Sequence, residues 1–324
     1  MTPSHQLVYP EDRLSERLDR YLTECFPELS RSQLKKLIDD GQVLLDQEPA
    51  KASTKLKGGE VLHLTLPEPV PLKAQPENIP LNILYEDDQL IVVDKPAGMV
   101  VHPAAGHSDG TLVNALLYHC EDLAGIGGEL RPGIVHRIDK DTSGALVATK
   151  NDASHQSLAD QFKAHSVNRR YLALVHGLLP QDRGVVDQPI GRHPTHRRKM
   201  SSLARNSKHA VTHWKVLARY DLDKLTLVEL RLETGRTHQI RTHFSEMNFP
   251  LAGDPMYGGR SRLKDLADQK LRSLIEKLPG QALHARLLGF IHPRSGEYIE
   301  RACDPPENFQ AILDYLNEKY SVSI

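Results

Sequence analysis

GIVHRIDKDTSGALVATK, Gly133 to Lys150, sets His136, Arg137, Asp139, Lys140, Asp141, Thr142 and Ser143 between two apolar runs. The runs, Ile134-Val135 and Ala145 to Ala148, are each short enough to be a buried strand. A charged tight connection between buried strands is unusual, and three readings compete for it. It can be a solvated turn whose Asp, Ser and Gly only satisfy turn chemistry. It can be a calcium loop, since Asp139, Asp141, Ser143 and Gly144 fall at the first, third, fifth and sixth positions of one. The twelfth position, where that loop needs Glu, holds Lys150, whose charge repels the ion, so calcium drops out. Third, Asp139 can be a working carboxylate at a strand end, with Arg137 beside it. The stretch alone does not separate the first reading from the third.

Outward from it, the chain has 324 residues, enough for one large domain and a small one. The formal net charge is −1, so affinity for a polyanion has to come from local patches. Cys25, Cys120 and Cys303 are scattered and odd in number, which argues for a reducing compartment and against a disulfide frame or zinc cluster. With no leader-like start and no long apolar run, a soluble cytoplasmic protein is expected.

Residues 1–14 carry no pattern and are expected as a flexible tail. Leu18, Leu22, Cys25 and Phe26 recur at helical spacing. A second helix begins at Ser30, with Gln33 completing a capping box, and ends at Gly41. Its outer face carries Arg31, Lys35 and Lys36, in isolation an ordinary solvated face. Strands are expected at Gly41 to Leu45 and Val61 to Leu66, closing a small domain over 15–66. The five prolines of 67–80 read as a semi-rigid linker to a large domain over 81–324.

That domain opens with a hairpin, Leu81 to Tyr85 and Leu90 to Val93. Thr111 caps a helix that buries Leu112, Ala115 and Leu116. A helix is expected from Asp152 to about Ala164, then a strand from Arg169 to Val175. Between Asp187 and Asp221 there is no acid, while Arg192, Arg197, Arg198, Lys199, Arg205, Lys208, Lys215 and Arg219 accumulate; a polyanion partner would offset their repulsion. A strand from Leu225 leads to a turn at Gly235 and a helix expected to bring Thr237, Ile240 and Arg241 to one side. Gly253 to Gly259 reads as a rigid loop, and a last hairpin and a helix from about Asn308 to Lys319 close the chain.

The chain lacks a P-loop, a nucleophile elbow around Ser143 and a dinucleotide-binding glycine pattern. What remains is a conspicuous carboxylate, an aromatic, and Arg-rich loops suited to phosphate. A carboxylate can attack a sugar carbon, as in retaining glycosidases, and with RNA as partner the sugar is ribose and the leaving group a base.

HRIDKDTSG, DKPAGMVVHP, RRYLALV and LETGRTHQIRTH resemble motifs of the RluA family of RNA pseudouridine synthases. RLDRYL, SRSQLKKLID, GQV and KGGEVLHL resemble the S4 RNA-binding module, except that Leu45-Asp46-Gln47 stands where "VNG" is usual. GDPMYGGR and DQPIGRHPTHRRKM look most like the member of the RluA family that modifies large-subunit ribosomal RNA. The resemblance implies an α+β fold: an S4-type domain, then a mixed, mainly antiparallel sheet flanked by helices, with a cleft across it. It implies Asp139 as the catalytic carboxylate, Arg241 as its basic partner, Tyr171 stacking on uracil, and Arg137 near the flipped nucleotide. It further implies action on the large-subunit (23S) RNA or its precursor particle; a monomer is expected, and because isomerising uridine involves no redox change and no net water, no metal and no cofactor is needed. RNA contacts are expected at Arg137, Arg31, Lys35, Lys36, Arg192, Arg197, Arg198 and Lys199. Two alternatives stay open: the same reaction at another ribosomal site or on tRNA, and a non-catalytic RNA-binding assembly factor.

Overall fold

The computed structural model describes residues 4–26, 31–65, 74–103, 107–120, 123, 132–196 and 198–322, without the side chains of residues 31–33 and 36. The chain falls into two compact units, residues 1–71 and 72–324. The expected cap at Ser30 lies outside the described residues.

In the first unit, helices Leu18–Cys25 and Arg31–Asp39 turn Leu18, Leu22, Leu34 and Ile38 onto Val43, Leu62 and Leu64, all buried. Gly41, at φ +73°, ends the second helix, with Gln42 N–H returning to the Leu37 carbonyl. Asp46 and Gln47 both take the left-handed conformation, forming the two-residue turn of a hairpin in which Leu45 pairs with Glu48. The expected flexible tail is a correction. Ser4–Val8 is a strand antiparallel to Val61–Thr65. It carries no apolar alternation because almost all of it is exposed; backbone bonds hold it, and Tyr9 is the first residue to bury fully. Within the expected semi-rigid linker, Asn114 donates to the Gln75 carbonyl at 2.7 Å and Glu77 N–H donates to Asn114 O at 3.0 Å.

In the second unit, the described residues build a nine-stranded sheet. Its order is Arg183–Asp187, Val211–Tyr220, Leu225–Leu232, Asn168–His176, Leu283–Ile291, Ser143–Thr149, Leu90–Lys95, Asn82–Glu86, with Tyr298–Ala302 on Leu283–Ile291. Pairing is antiparallel except where Leu283–Ile291 meets Ser143–Thr149. One face packs with helices Leu112–His119 and Gln239–Glu246; the other carries Gln269–Glu276 and Glu307–Tyr320. Thr111 and Asn114 form a reciprocal capping box at the first of these helices.

Ser143–Thr149 is buried along its whole length, as two-sided apolar runs should be. Gly144 explains the end of the opening motif without any ion. Its φ is +115°, and a Cβ there would lie 2.3 Å from the Ala285 carbonyl oxygen, so glycine permits the parallel strands to meet. Ile134-Val135 is not a buried strand: both residues are half-buried, and Ile134 makes a single bridge to Ala148. Glycine at 133, with φ +71°, turns the chain off Thr149 and leaves too short a run to pair.

Candidate active site

Asp139 begins a tight turn, closed by Thr142 N–H on the Asp139 carbonyl, that is clasped from three sides. Gln281 donates to the Thr142 hydroxyl at 2.9 Å. His284 donates through Nε2 to the Cys303 carbonyl at 3.0 Å, which leaves Nδ1 to accept from the Ser143 hydroxyl at 2.9 Å. From the third side comes Lys95, wholly buried, whose ammonium donates to the carbonyls of Pro96 (2.8 Å), Met99 (2.8 Å) and Lys140 (3.0 Å).

Desolvation brings the Lys95 pKa down from 10.5 to about 7, against the upward pull of Asp141, Asp139 and Asp94. The unfolded chain holds that proton to much higher pH, so between these values unfolding takes up a proton. The penalty of burying the charge is therefore complete below pH 7 and fades as pH rises above it. The difference in urea midpoint between wild type and Lys95→Met should move in favour of the wild type from pH 6.5 to 9. A difference independent of pH would mean that Lys95 keeps its ordinary value.

Arg241 comes from helix Gln239–Glu246, whose start is set by Gln239. The Gln239 amide oxygen accepts from Thr234 Oγ1 and Arg236 N–H, and its NH2 donates to Val211 O and Thr212 Oγ1. The preceding His238 is left-handed at φ +54°. The helix begins after Thr237, which is exposed, yet Thr237, Ile240 and Arg241 still line one cleft, as expected.

The structure brings Asp139 and Arg241 together: Nη1 donates to Asp139 Oδ2 at 3.1 Å. The guanidinium fork, however, faces Asp254, with Nε to Oδ2 at 2.7 Å and Nη2 to Oδ1 at 3.1 Å. Asp254 is 0% exposed and also accepts from Met256 N–H and Tyr257 N–H. Arg241 thus bridges a buried carboxylate to a partly exposed one. Burial alone would lower its pKa, but the hydrogen bonds and charges of Asp254 and Asp139 outweigh this and raise it, so the cation is permanent.

Tyr257 supports this bridge, its ring centroid 5.0 Å from the Arg241 guanidinium carbon. Its hydroxyl accepts from Met200 N–H at 2.7 Å and lies 2.9 Å from His238 Nδ1. Tyr171 stands across the cleft, buried, and burial raises its pKa despite the nearby Arg169, so the phenol stays neutral. The cleft is lined by Asp139, Tyr171 and Arg241, with Arg137 exposed at it and Ile138, Leu232 and Leu283 among its apolar walls. Asp254, Tyr257, His238, Arg169 and Lys95 are the residues that sequence reasoning missed.

The acid-free segment does not form one patch. Arg192 lies in the small Gly191–Arg192/Met200–Ser201 ladder, and Arg198 and Lys199 face Pro255 and Met256, with the Lys199 ammonium 5.8 Å from the Tyr257 ring centroid. Arg219 is instead used structurally, on Leu179 O, Gln181 O and Asp182. Arg197 and the side chains of Arg31 and Lys36 lie outside the described residues, while Lys35 is exposed 3.6 Å from Asp39. Glu86, His119 and Cys120 cluster within possible metal-ligand reach, but Glu86 is occupied by Lys150 at 2.6 Å and by His119 at 2.9 Å, a charge cluster. No helix of the described residues is long and apolar enough to cross a membrane.

Residues 89–246 match the RNA pseudouridylate synthase family and residues 16–62 the S4 domain. The chain is 47% identical over 308 residues to the "Uncharacterized RNA pseudouridine synthase YlyB" of Bacillus subtilis, covering 95% of this chain and 96% of that one. It is 47% identical over 321 residues to the "Ribosomal large subunit pseudouridine synthase D" of Zymomonas mobilis, covering 97% and 98%. The solved structure of human RNA pseudouridylate synthase domain containing 4 matches with a TM-score of 0.55 at 27% identity, over 73% of this chain and 93% of that one. The chain belongs to the RNA pseudouridine synthase family and is an enzyme of that class carrying an S4 domain.

Proposed function

We propose that this chain converts uridines of large-subunit (23S) ribosomal RNA to pseudouridine, with Asp139 as the attacking carboxylate. The observation that carries this is one cleft lined by Asp139, Arg241 and buried Tyr171, in which Arg241 also holds Asp254, buried outside the lining. Asp139 attacks C1′ as the N1 to C1′ bond breaks; the freed uracil turns; C5 joins C1′ as the bond from the Asp139 oxygen to C1′ breaks, which frees the carboxylate, and the proton leaves C5 while N1 gains one. The sum is an isomerisation, so neither an oxidant nor a cofactor enters the balance. Before it, the uridine must leave its stack, which costs a few kcal/mol, and in this reading Arg137, which lines the cleft, occupies the space it vacates. Tyr171 holds the detached base through its ring face.

The large-subunit RNA is supported by the likeness to the Zymomonas protein. Arg192, Arg197, Arg198 and Lys199, with Arg31, Lys35 and Lys36 in the S4 domain, supply phosphate contacts in this reading, as a monomer in the cytoplasm. The test is tritium release from transcripts labelled at uracil C5. Release from 23S RNA and not from 16S RNA or tRNA is expected. Release from either of the others alone would move the substrate, and release from none would overturn the isomerase.

A further inference from the structure

A second, wider depression adjoins the cleft and shares Arg137, Arg169, Gly235 and Arg236 with it. Beyond that neck it is lined by Lys163, His165, Phe162, His136 and His102, and no acid lines it among the described residues. We propose that this groove carries the RNA backbone on one side of the target nucleotide, with phosphates facing Arg169, Lys163 and Arg236. The proposal rests on the reading of the adjoining cleft as a uridine site.

The groove is built by how one helix ends. Helix Asp152–Lys163 starts at Asn151, whose side chain accepts from Ser154 N–H at 2.9 Å. It stops at Ala164 and a left-handed His165 at φ +58°, with Ser166 N–H returning to Gln161 O at 3.1 Å. That stop delivers Phe162, Lys163 and His165 to the groove. The Phe162 ring is already engaged, stacked on His136 at 4.5 Å and within 5.5 Å of the Arg169 guanidinium. His136 is held in turn, its Nε2 accepting from Val147 N–H at 3.1 Å, and burial depresses its pKa to about 3. A rigid floor already stacked internally suits a passing phosphate chain better than an inserted base.

Arg169 is the independent sign of an anion. It is 6% exposed and donates through Nη2 to Glu233 O at 2.7 Å, but its buried Nε has no hydrogen-bond partner and no carboxylate of the described residues pairs with it. A buried cation left without an opposite charge is costly, and a phosphate at the neck would offset that. Gly235 keeps the neck clear, since a Cβ there would lie 2.8 Å from Arg169 Nη1.

The test compares wild type with Lys163→Ala/His165→Gly, two positions outside the cleft, the glycine preserving the left-handed turn. Binding of a 23S transcript is measured across a salt series, with tritium release in parallel and urea unfolding as a check on the fold. The variant should bind several-fold more weakly at 150 mM salt, with a slope of log affinity against log salt flatter by about 0.7 to 0.9, the share of one phosphate contact, and an unchanged saturating rate. Unchanged affinity and slope would overturn the groove. So would a loss confined to the saturating rate. Because binding is read separately, absent turnover in the wild type would count against the uridine reading of the cleft and leave the groove's result legible.

Discussion

Asp139→Asn should abolish tritium release from C5-labelled RNA, by a factor on the order of 10⁴ or more, while the protein stays folded and binds RNA. The amide copies the shape of the carboxylate and can still accept from Arg241 Nη1, but it has no charge with which to attack C1′. Folding should survive because the Arg241 fork is committed to Asp254, which the substitution does not touch. The Asp139 side chain itself is partly open, 18% exposed. Single-turnover release, with RNA binding measured alongside, separates chemistry from affinity. Activity within tenfold of wild type would remove Asp139 from the centre of the mechanism.

Arg241→Met should cost both rate and stability. It removes the partner of Asp139 and strands Asp254, which is fully buried and, among the described residues, keeps two backbone N–H donors. Breaking a buried ion pair from one side costs about 3–5 kcal/mol, a large share of a domain's stability. Arg241→Lys should restore part of the stability and little of the rate, because one ammonium cannot hold both oxygens of Asp254 and still aim a donor at Asp139. Adding Asp254→Asn to Arg241→Met should return some of the lost stability without activity, since it removes the stranded charge. Urea midpoints and tritium release measure both effects. A methionine variant as stable as wild type would show that Arg241 and Asp254 do not depend on one another.

The sequence singles out Asp139, the carboxylate proposed to react, and hides its support for identifiable reasons. Asp139 stands out because charge rarely sits against an apolar run such as Ala145 to Ala148, and that run is the buried strand it looked like. Asp254 sits in a Gly-Asp-Pro loop, where Asp has an ordinary turn explanation, and nothing local says that it is buried. The pairing of Arg241 with Asp139 was implied by the family resemblance alone, and the direction of its fork depends on a contact 13 residues away that no helical periodicity encodes. Ser4–Val8 went unseen because an exposed edge strand has no apolar alternation. The acid-free segment promised a single patch, yet strand pairing sends Lys215 to one place, Arg219 to its own carbonyl partners, and Arg198 and Lys199 to the neighbourhood of Tyr257.

The most direct test maps pseudouridine in 23S ribosomal RNA from cells lacking this chain and from the same cells carrying the wild type or Asp139→Asn. The account predicts that one or more pseudouridines disappear without the protein, return with the wild type, and stay absent with the asparagine variant. An unchanged map in the cells lacking the protein, or full restoration by Asp139→Asn, would contradict it.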